Sequence, residues 1–400
     1  MTGPISVTEA IALLGEHRPQ RPVEWVPLDS ALGRTLAGDV AARVTLPPRD
    51  SSAMDGYAVR LADVAKAGAR LRIIGEAPAG TPFSGSVRPG QAVRLFTGSA
   101  MPDGADHVLI QEHAMRDGDH LTTTEAEPRA RHIRRAGIDF RTGDILLPAG
   151  KVLGPADIAV AAAADHAVLP VHKRLRVAIL ANGDELRPPG GDPATGGVVS
   201  SNSAGLAALI RSWGGEAIDL GIASDSVKSI QAHIGQAQAA DIILPVGGAS
   251  VGDHDHMFDA FEGLGLKPVF RKIAVKPGKP TWFGRLGDQS VLGLPGTPAS
   301  ALVCAHLFLK PLLTGQAQLD LVSAQITHPL AANGPRETFL RGTCTVIGGV
   351  GRRVEVLPDQ DSSLVTAFLQ ANCLVRREAN ASQIGATDLI QIVPLWAAPI

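Results

Sequence analysis

The sequence predicts a multi-domain protein of the α/β plus β-rich class. Its parts are a central, mostly parallel α/β sheet domain, a helical domain, a β-rich domain and a small C-terminal β domain, either a β-barrel or a sandwich. Three observations carry this expectation. Between residues 173 and 317, strand-like apolar runs alternate with helix-patterned runs, the order that builds a parallel sheet covered on both faces. From 47 to 145, and again from 318 to 400, short β-prone runs are cut by Gly and Pro. Finally, 400 residues, 45% of them hydrophobic and 19% charged, are enough for several cores, and with 10 Phe, 4 Trp and 1 Tyr those cores are mainly aliphatic.

Bulk properties also exclude function classes. A formal charge of −2 gives no basic excess for nucleic acid. Cys304, Cys344 and Cys373 form no CxxC pair, which excludes a disulfide framework and a cysteine zinc site and fits a reducing cytosol. The start, MTGPISVTEAIALLGEH, lacks the basic opening and long apolar core of a secretory signal, and every apolar run is broken by polar residues. A cytoplasmic protein with no membrane partner is expected.

Ser6 or Thr8 can cap a first helix in VTEAIALLGEH, and residues 26–43 have helix-like or mixed character. Pro47 and Pro48 break the chain before RDSSAMDGYAVR, where Asp50, Ser51, Ser52 and Asp55 sit beside Met54 and Tyr57. The short strands of 71–147 contain two polar turns, Thr97-Gly98-Ser99 and Gly137-Ile138-Asp139, the second following Arg134-Arg135. Residues 154–171 read as one helix, with Pro155 near its first position and Asp157 in its first turn. Its alanines suggest close packing against the first helix, giving a discontinuous helical domain of 1–46 and 146–172 around a β-rich domain of 47–145.

In the α/β part, 173–317, RVAILANGDEL is a strand ending in Asp184-Glu185. VVSSNSAGLAALIRSWGG holds a helix capped by Ser201 or Asn202 and stopped by Gly214-Gly215. DIILPVGGASVGDHD combines a strand buried on both faces with a small-residue turn, Gly247 to Ser250, that lets backbone approach a ligand closely. Asp253 and Asp255 follow, close enough to share one Mg²⁺. In LPGTPASALV, Thr297 suits the N-cap, Pro298 the first helical position, and Ser300 lies in the first turn, where an anion is favoured. Lys276-Pro-Gly-Lys279-Pro is a stiff loop presenting two ammonium groups, suited to a phosphate or tetrahedral oxyanion. Acidic and cationic loops in one crevice suggest a phosphorylated ligand with Mg²⁺ bridging it to carboxylates. His254 and His256, without a further His or Cys cluster, do not make a zinc site, and neither a P-loop nor a G-x-S-x-G elbow occurs.

Taken together, SAMDGYAV, RLFTGSAMPDGADHV, RRAGIDFRTGD, NGDEL, GGASVGDHD, KPGKPTWFG and GLPGTPASALV, in this order, resemble the molybdopterin molybdenumtransferases of the MoeA and gephyrin E-domain type. The resemblance runs from near the N-terminus to the final β segment. It implies an elongated homodimer of four-domain subunits, with the α/β domain molybdopterin-binding-like and 318–400 the C-terminal barrel. It implies an enzyme that takes adenylylated molybdopterin and molybdate, cleaves the adenylate with Mg²⁺, releases AMP and yields molybdenum cofactor. Its implied partners include molybdopterin adenylyltransferase and recipient molybdoenzymes.

By the same resemblance, Asp55, Asp253, Lys276 and Lys279 are the catalytic candidates. Thr97, Asp139, Asp184, Glu185, Asp225, Ser250, Pro295, Pro298, Ser300, Arg341 and Ser362 are ligand-binding candidates. Glu185, Asp253 and Asp255 are the metal candidates. Lys279, Ser300, Arg341 and Ser362 would surround molybdate, while Asp55, Thr97 and Asp139 would come from the partner subunit. Thr297 stands where the family usually has Asn. A non-catalytic molybdopterin-binding scaffold and a molybdopterin adenylyltransferase are the alternative functions.

Overall fold

The computed structural model describes residues 3–192, 196–248, 256–348 and 351–395. The chain forms two compact units, one made of Val23–His172 and the other of the chain on either side of it.

The first helix, α1 (Val7–Glu16), begins with a capping box: Ser6 Oγ accepts the Glu9 amide at 3.2 Å while Glu9 Oε2 accepts the Ser6 amide at 2.8 Å. Val7, Ala10, Ile11 and Leu14 are buried, the spacing of one helix face, in a cluster that also contains Leu175, Val177, Ile179 and Leu312. That burial stabilises on the order of 5 kcal/mol. Arg18 then donates from Nε and Nη2 to the carbonyls of Leu312 and Leu313, at 3.2 and 3.0 Å. The expected pairing of this helix with 154–171 is therefore corrected: α1 belongs to the α/β unit.

In the Val23–His172 unit a six-stranded sheet comprises β1 (Gly56–Val59), β2 (Arg70–Ala77), β3 (Gln91–Leu95), β4 (His107–Ile110), β5 (Ala114–Asp117) and β6 (His120–Thr123), in the order β4-β1-β3-β2-β6-β5. Two further expectations change here. Residues 26–43 hold one 3-10 turn, Leu28–Ser30, and otherwise serve strands: Val23–Pro27 pairs antiparallel with Val168–His172, and Val40–Ala41 with Ile145–Leu147. These long-range pairings override local propensity. Nor is 154–171 one helix, because α2 (Pro155–Ala163) stops early. Asp165 at φ +68° takes the left-handed stop position, its amide bonding Ala162 O and the His166 amide bonding Ala161 O, both at 3.0 Å. Aspartate in the place glycine usually takes hid that stop from the sequence.

The α/β unit continues with β7 (Arg176–Asn182), α3 (Asn202–Ser212), β8 (Glu216–Ala223), α4 (Val227–Ile234), β9 (Ile242–Val246), α5 (His256–Gly263), β10 (Lys267–Phe270), β11 (Trp282–Leu286) and β12 (Gln289–Gly293). Its sheet has the order β8-β7-β9-β12-β11-β10, parallel through β12 and antiparallel at the β11 edge. All five residues of β9 are buried. Side chains alternate between two cores: Ile242 and Leu244 face α1, α3 and the helix after β12, while Ile243 faces α4 and α5. That last helix runs as α6 (Pro298–Cys304), a π-helical stretch Ala305–Leu309, and α7 (Lys310–Thr314).

Beyond it, β13 (Val322–Ile326), β14 (Glu337–Ile347), β15 (Gly351–Val356), β16 (Cys373–Arg377) and β17 (Leu389–Pro394) close a barrel in the order β14-β15-β13-β17-β16, with β16 returning to β14. Cys344 and Cys373 lie in its apolar interior. No helix among the described residues is long and apolar enough to cross a membrane.

Candidate functional site

The chain leaves β7 to one side for β8 and returns to its other side for β9, so a crevice opens beyond the carboxyl ends of β7 and β9. A cavity of about 480 Å³ lies there, lined by Asn182, Glu185, Gly247, Gly248, Pro280 and the 295–298 turn among others. Its walls are held mainly by backbone. Asn182 Nδ2 donates to the carbonyls of Ala223 and Ser224 at 3.3 and 3.1 Å, joining the ends of β7 and β8. Asp184 and Asp225 each accept the other's backbone amide, at 3.0 and 3.2 Å, so these exposed carboxylates are fixed side by side. Gly247 and Gly248 have φ of +98° and +65°, and a Cβ on Gly247 would stand 2.9 Å from the Asn182 carbonyl oxygen. Only glycine lets that turn lie flat against β7.

Asn202, expected as a possible helix cap, instead donates from Nδ2 to the Gly296 carbonyl at 2.8 Å and ties α3 to the Leu-Pro-Gly-Thr-Pro turn. Ser201 occupies the N-cap position without a side-chain hydrogen bond. Thr297 likewise sits at the N-cap of α6 and its hydroxyl makes no cap bond. The Ala299 amide is taken by the Ser362 carbonyl at 2.9 Å, from the loop between β15 and β16. Ser300, 4% exposed, lies in the same turn.

The lysine loop is seated on this helix. Gly278 has φ +114°, and a Cβ there would lie 2.2 Å from Sγ of Cys304. Cys304 is one helical turn beyond Ser300, and Thr281 donates its hydroxyl to the same sulfur at 3.4 Å. Burial pushes the Cys304 thiol up to about 12, so it stays protonated and acts as core. Lys276 and Lys279 are exposed on either side of this anchored glycine and form no ion pair among the described residues. Pro280 reaches the cavity wall, bringing the cationic loop to the crevice that Glu185 and Gly247 line.

Arg341, expected against an oxyanion, is also bound into its own domain. It is 2% exposed, and its guanidinium donates to the carbonyls of Leu364, Asp359 and Asp361 at 3.1, 3.2 and 2.9 Å. Its charge therefore organises the 359–364 loop. Within that loop Ser363 commits its hydroxyl to Asp361 at 2.6 Å, which leaves Ser362, whose carbonyl meets α6, as the better candidate of the two serines. Residue pattern marked Ser362 but not the way Arg341 holds this loop, because those contacts are to carbonyls that every residue carries.

In the Val23–His172 unit, Asp55 Oδ1 accepts both the amide and the hydroxyl of Thr97, at 2.7 and 2.8 Å. These bonds, the amide first, hold the Asp55 carboxyl below its ordinary range. Asp139 is exposed and lines a separate cavity of about 610 Å³ with Arg49, Arg134, Pro47 and Ile138. The structure thus brings Asp55 and Thr97 together. Ser250, Asp253 and Asp255 lie outside the described residues. Among the described residues no three His, Cys, Asp or Glu side chains form a metal cluster.

A switch-point crevice lined by Glu185, with an anchored loop carrying two lysines reaching its wall through Pro280, defines an α/β protein with a candidate site for an anionic ligand. Models of known families match in three consecutive blocks: MoeA N-terminal region (domain I and II) at residues 5–164, a probable molybdopterin binding domain at 178–315, and MoeA C-terminal region (domain IV) at 323–395. The molybdopterin molybdenumtransferase of Haemophilus influenzae is 34% identical over 379 residues, 93% of each chain. That of a Nostoc species is 35% identical over 345 residues, 83% of this chain and 79% of its own. The solved molybdopterin biosynthesis MoeA protein of Pyrococcus horikoshii superposes with a TM-score of 0.85 at 27% identity, covering 99% of this chain and 100% of its own. The chain belongs to the MoeA family of molybdopterin molybdenumtransferases.

Proposed function

We propose that this chain inserts molybdenum from molybdate into adenylylated molybdopterin, hydrolysing the adenylate and releasing AMP with molybdenum cofactor. It is a transferase of molybdenum cofactor biosynthesis, as its family is. The observation that carries the finer reading is the meeting of the lysine loop, the Ser300 turn and the Ser362 carbonyl on α6, next to a crevice lined by Glu185.

In this reading Lys276 and Lys279 attract and orient the tetrahedral dianion, with Ser300 and Ser362 supplying short polar contacts. Asp184, Asp225, Ser250, Pro295 and Pro298 surround the pterin and adenylate. Asp184, Glu185 and Asp225 offer the hard oxygen donors that suit Mg²⁺, so the described residues fit that ion, and Glu185 with Asp253 and Asp255 would hold it. Bound there, Mg²⁺ would supply charge neutralisation of phosphate oxygens. The chain works as a homodimer in which a second copy brings Asp55, Thr97 and Asp139 to the crevice. Four parts divide the labour, at 23–46 with 146–172, 47–145, 173–317 and 318–400, with α1 counted in the third. Molybdopterin adenylyltransferase supplies the substrate, recipient molybdoenzymes take the product, and the setting is the cytoplasm.

The test is AMP release from purified protein given adenylylated molybdopterin and Mg²⁺, with and without molybdate. Molybdate-dependent release is expected. Tight pterin binding with no release under either condition would replace the enzyme by a binding scaffold.

A further inference from the structure

Beneath the 359–364 loop lies a clamp that ligand binding does not explain. Four of the five N–H donors of Arg341 have acceptors in this loop: the carbonyls of Leu364, Asp359 and Asp361, and Gln360 Oε1 at 3.4 Å from Nε. Gln360 answers from the other side. Its Oε1 accepts the Arg341 amide at 2.9 Å, and its Nε2 donates to the carbonyls of Arg341 and Leu357 at 3.0 and 2.8 Å. One carboxamide thus pairs both backbone groups of a β14 residue, as a neighbouring strand would. On the outer side of the loop the Ser362 carbonyl holds the Ala299 amide of α6 at 2.9 Å.

We propose that Gln360 is a positioning residue for the transfer reaction: with Arg341 it fixes the 359–364 loop so that Ser362 stands against the turn that carries Ser300. This rests on the assignment of Ser300 and Ser362 to the oxyanion made above. Both N–H donors of Gln360 are spent on the carbonyls of Arg341 and Leu357, which leaves none for a dianion. Any effect Gln360 has on molybdate must therefore pass through the loop.

The experiment uses full-length protein and the variants Gln360→Ala, Gln360→Glu, Arg341→Ala and the Gln360→Ala/Arg341→Ala pair. Outer partners of a binding group typically matter by about 10–100-fold. Gln360→Ala should therefore raise KM for molybdate by roughly that factor, with kcat and KM for the pterin changed less than about threefold. Gln360→Glu keeps the oxygen that accepts the Arg341 amide and should recover part of the loss. The double variant should be no worse than Arg341→Ala, because both changes release one loop. Hydrogen exchange of the 360–364 amides, measured without substrate, should quicken in Gln360→Ala. A lowered Tm with unchanged molybdate KM would reduce Gln360 to a structural part, and multiplying effects in the double variant would show that Gln360 does not work through the loop that Arg341 holds. Each overturns the proposal. If wild-type protein releases no AMP in response to molybdate, the function assigned above fails; quickened exchange would then show the clamp itself intact as a structural claim.

Discussion

The crevice of the α/β unit and the polar turns of the Val23–His172 unit use the same residue types in opposite ways. On the loop that reaches the crevice through Pro280, Lys276 and Lys279 stand exposed with no ion pair among the described residues, while the backbone between them is pinned by Gly278 on Cys304. In the other unit, charges are answered within the turns. Asp50 accepts from Arg135 and from the Ala136 amide, and Asp55 from the amide and hydroxyl of Thr97. The first arrangement leaves charge open on a rigid base; the second uses charge to make the base. A motif names the residues, and the hydrogen-bond partners say which of the two jobs each is doing.

The largest expected effect tests the rigid base. Gly278→Ala places a Cβ 2.2 Å from Cys304 Sγ at φ +114°, so both clash and backbone strain oppose it. A destabilisation of roughly 3–5 kcal/mol, the range for strain and overpacking in a core, should accompany loss of molybdate-dependent AMP release. Adding Cys304→Ala should recover part of the stability, since it removes the clash and leaves the φ. A fully stable, active Gly278→Ala variant would mean that the loop is not seated on α6.

The next effect separates ligand-directed charge from structural charge. Lys279→Ala should lower molybdate-dependent turnover by about 100-fold, the size of losing one preorganised donor, with Tm unchanged. Asp50→Ala should do the reverse in kind: a loss of about 1 kcal/mol in stability from an orphaned Ala136 amide, and turnover of a folded variant close to wild type. If Lys279→Ala instead lowered Tm and spared turnover, the contrast between the two regions would collapse.

Much of this was legible in the sequence where local pattern and final contacts agree. The alternation of strand and helix, the wholly apolar β9, the stiff lysine loop and the β-rich C-terminal domain follow from residue type and spacing, although that pattern left barrel and sandwich open. Three features were not. The partner of α1 depends on which of two apolar surfaces it meets, and its buried face fits either. The early end of α2 depends on Asp165 adopting a left-handed conformation that glycine more often supplies. The inward turn of Arg341 depends on carbonyls, which no side-chain pattern advertises. The site was readable as a set of loops and unreadable as a set of roles.

The smallest effect is a pH dependence confined to the Val23–His172 unit. His113 Nδ1 lies 2.9 Å from the buried Glu127 carboxylate, and that bond, with the charges of Glu125, Glu127 and Glu112, raises the His113 pKa against partial burial. His107 faces the same carboxylate from β4, with Nε2 3.8 Å from Glu127 Oε2. Its Nδ1 accepts the Arg131 amide at 3.0 Å, which puts its proton on Nε2, and burial first of all lowers its pKa, so it stays neutral. His113 is then the group that titrates. Because its folded pKa is raised, its contribution is complete below the unfolded value near 6.5 and fades as pH rises through the folded one. His113 is part-exposed, so the contribution should be no more than about 1 kcal/mol. Between pH 6 and pH 9 the wild-type unit should lose that much more stability in urea than His113→Gln, which keeps a donor for Glu127 and cannot titrate. Equal losses in the two proteins would show that the Glu127 contact is indifferent to the charge on His113, leaving this unit's turns held by hydrogen bonds alone.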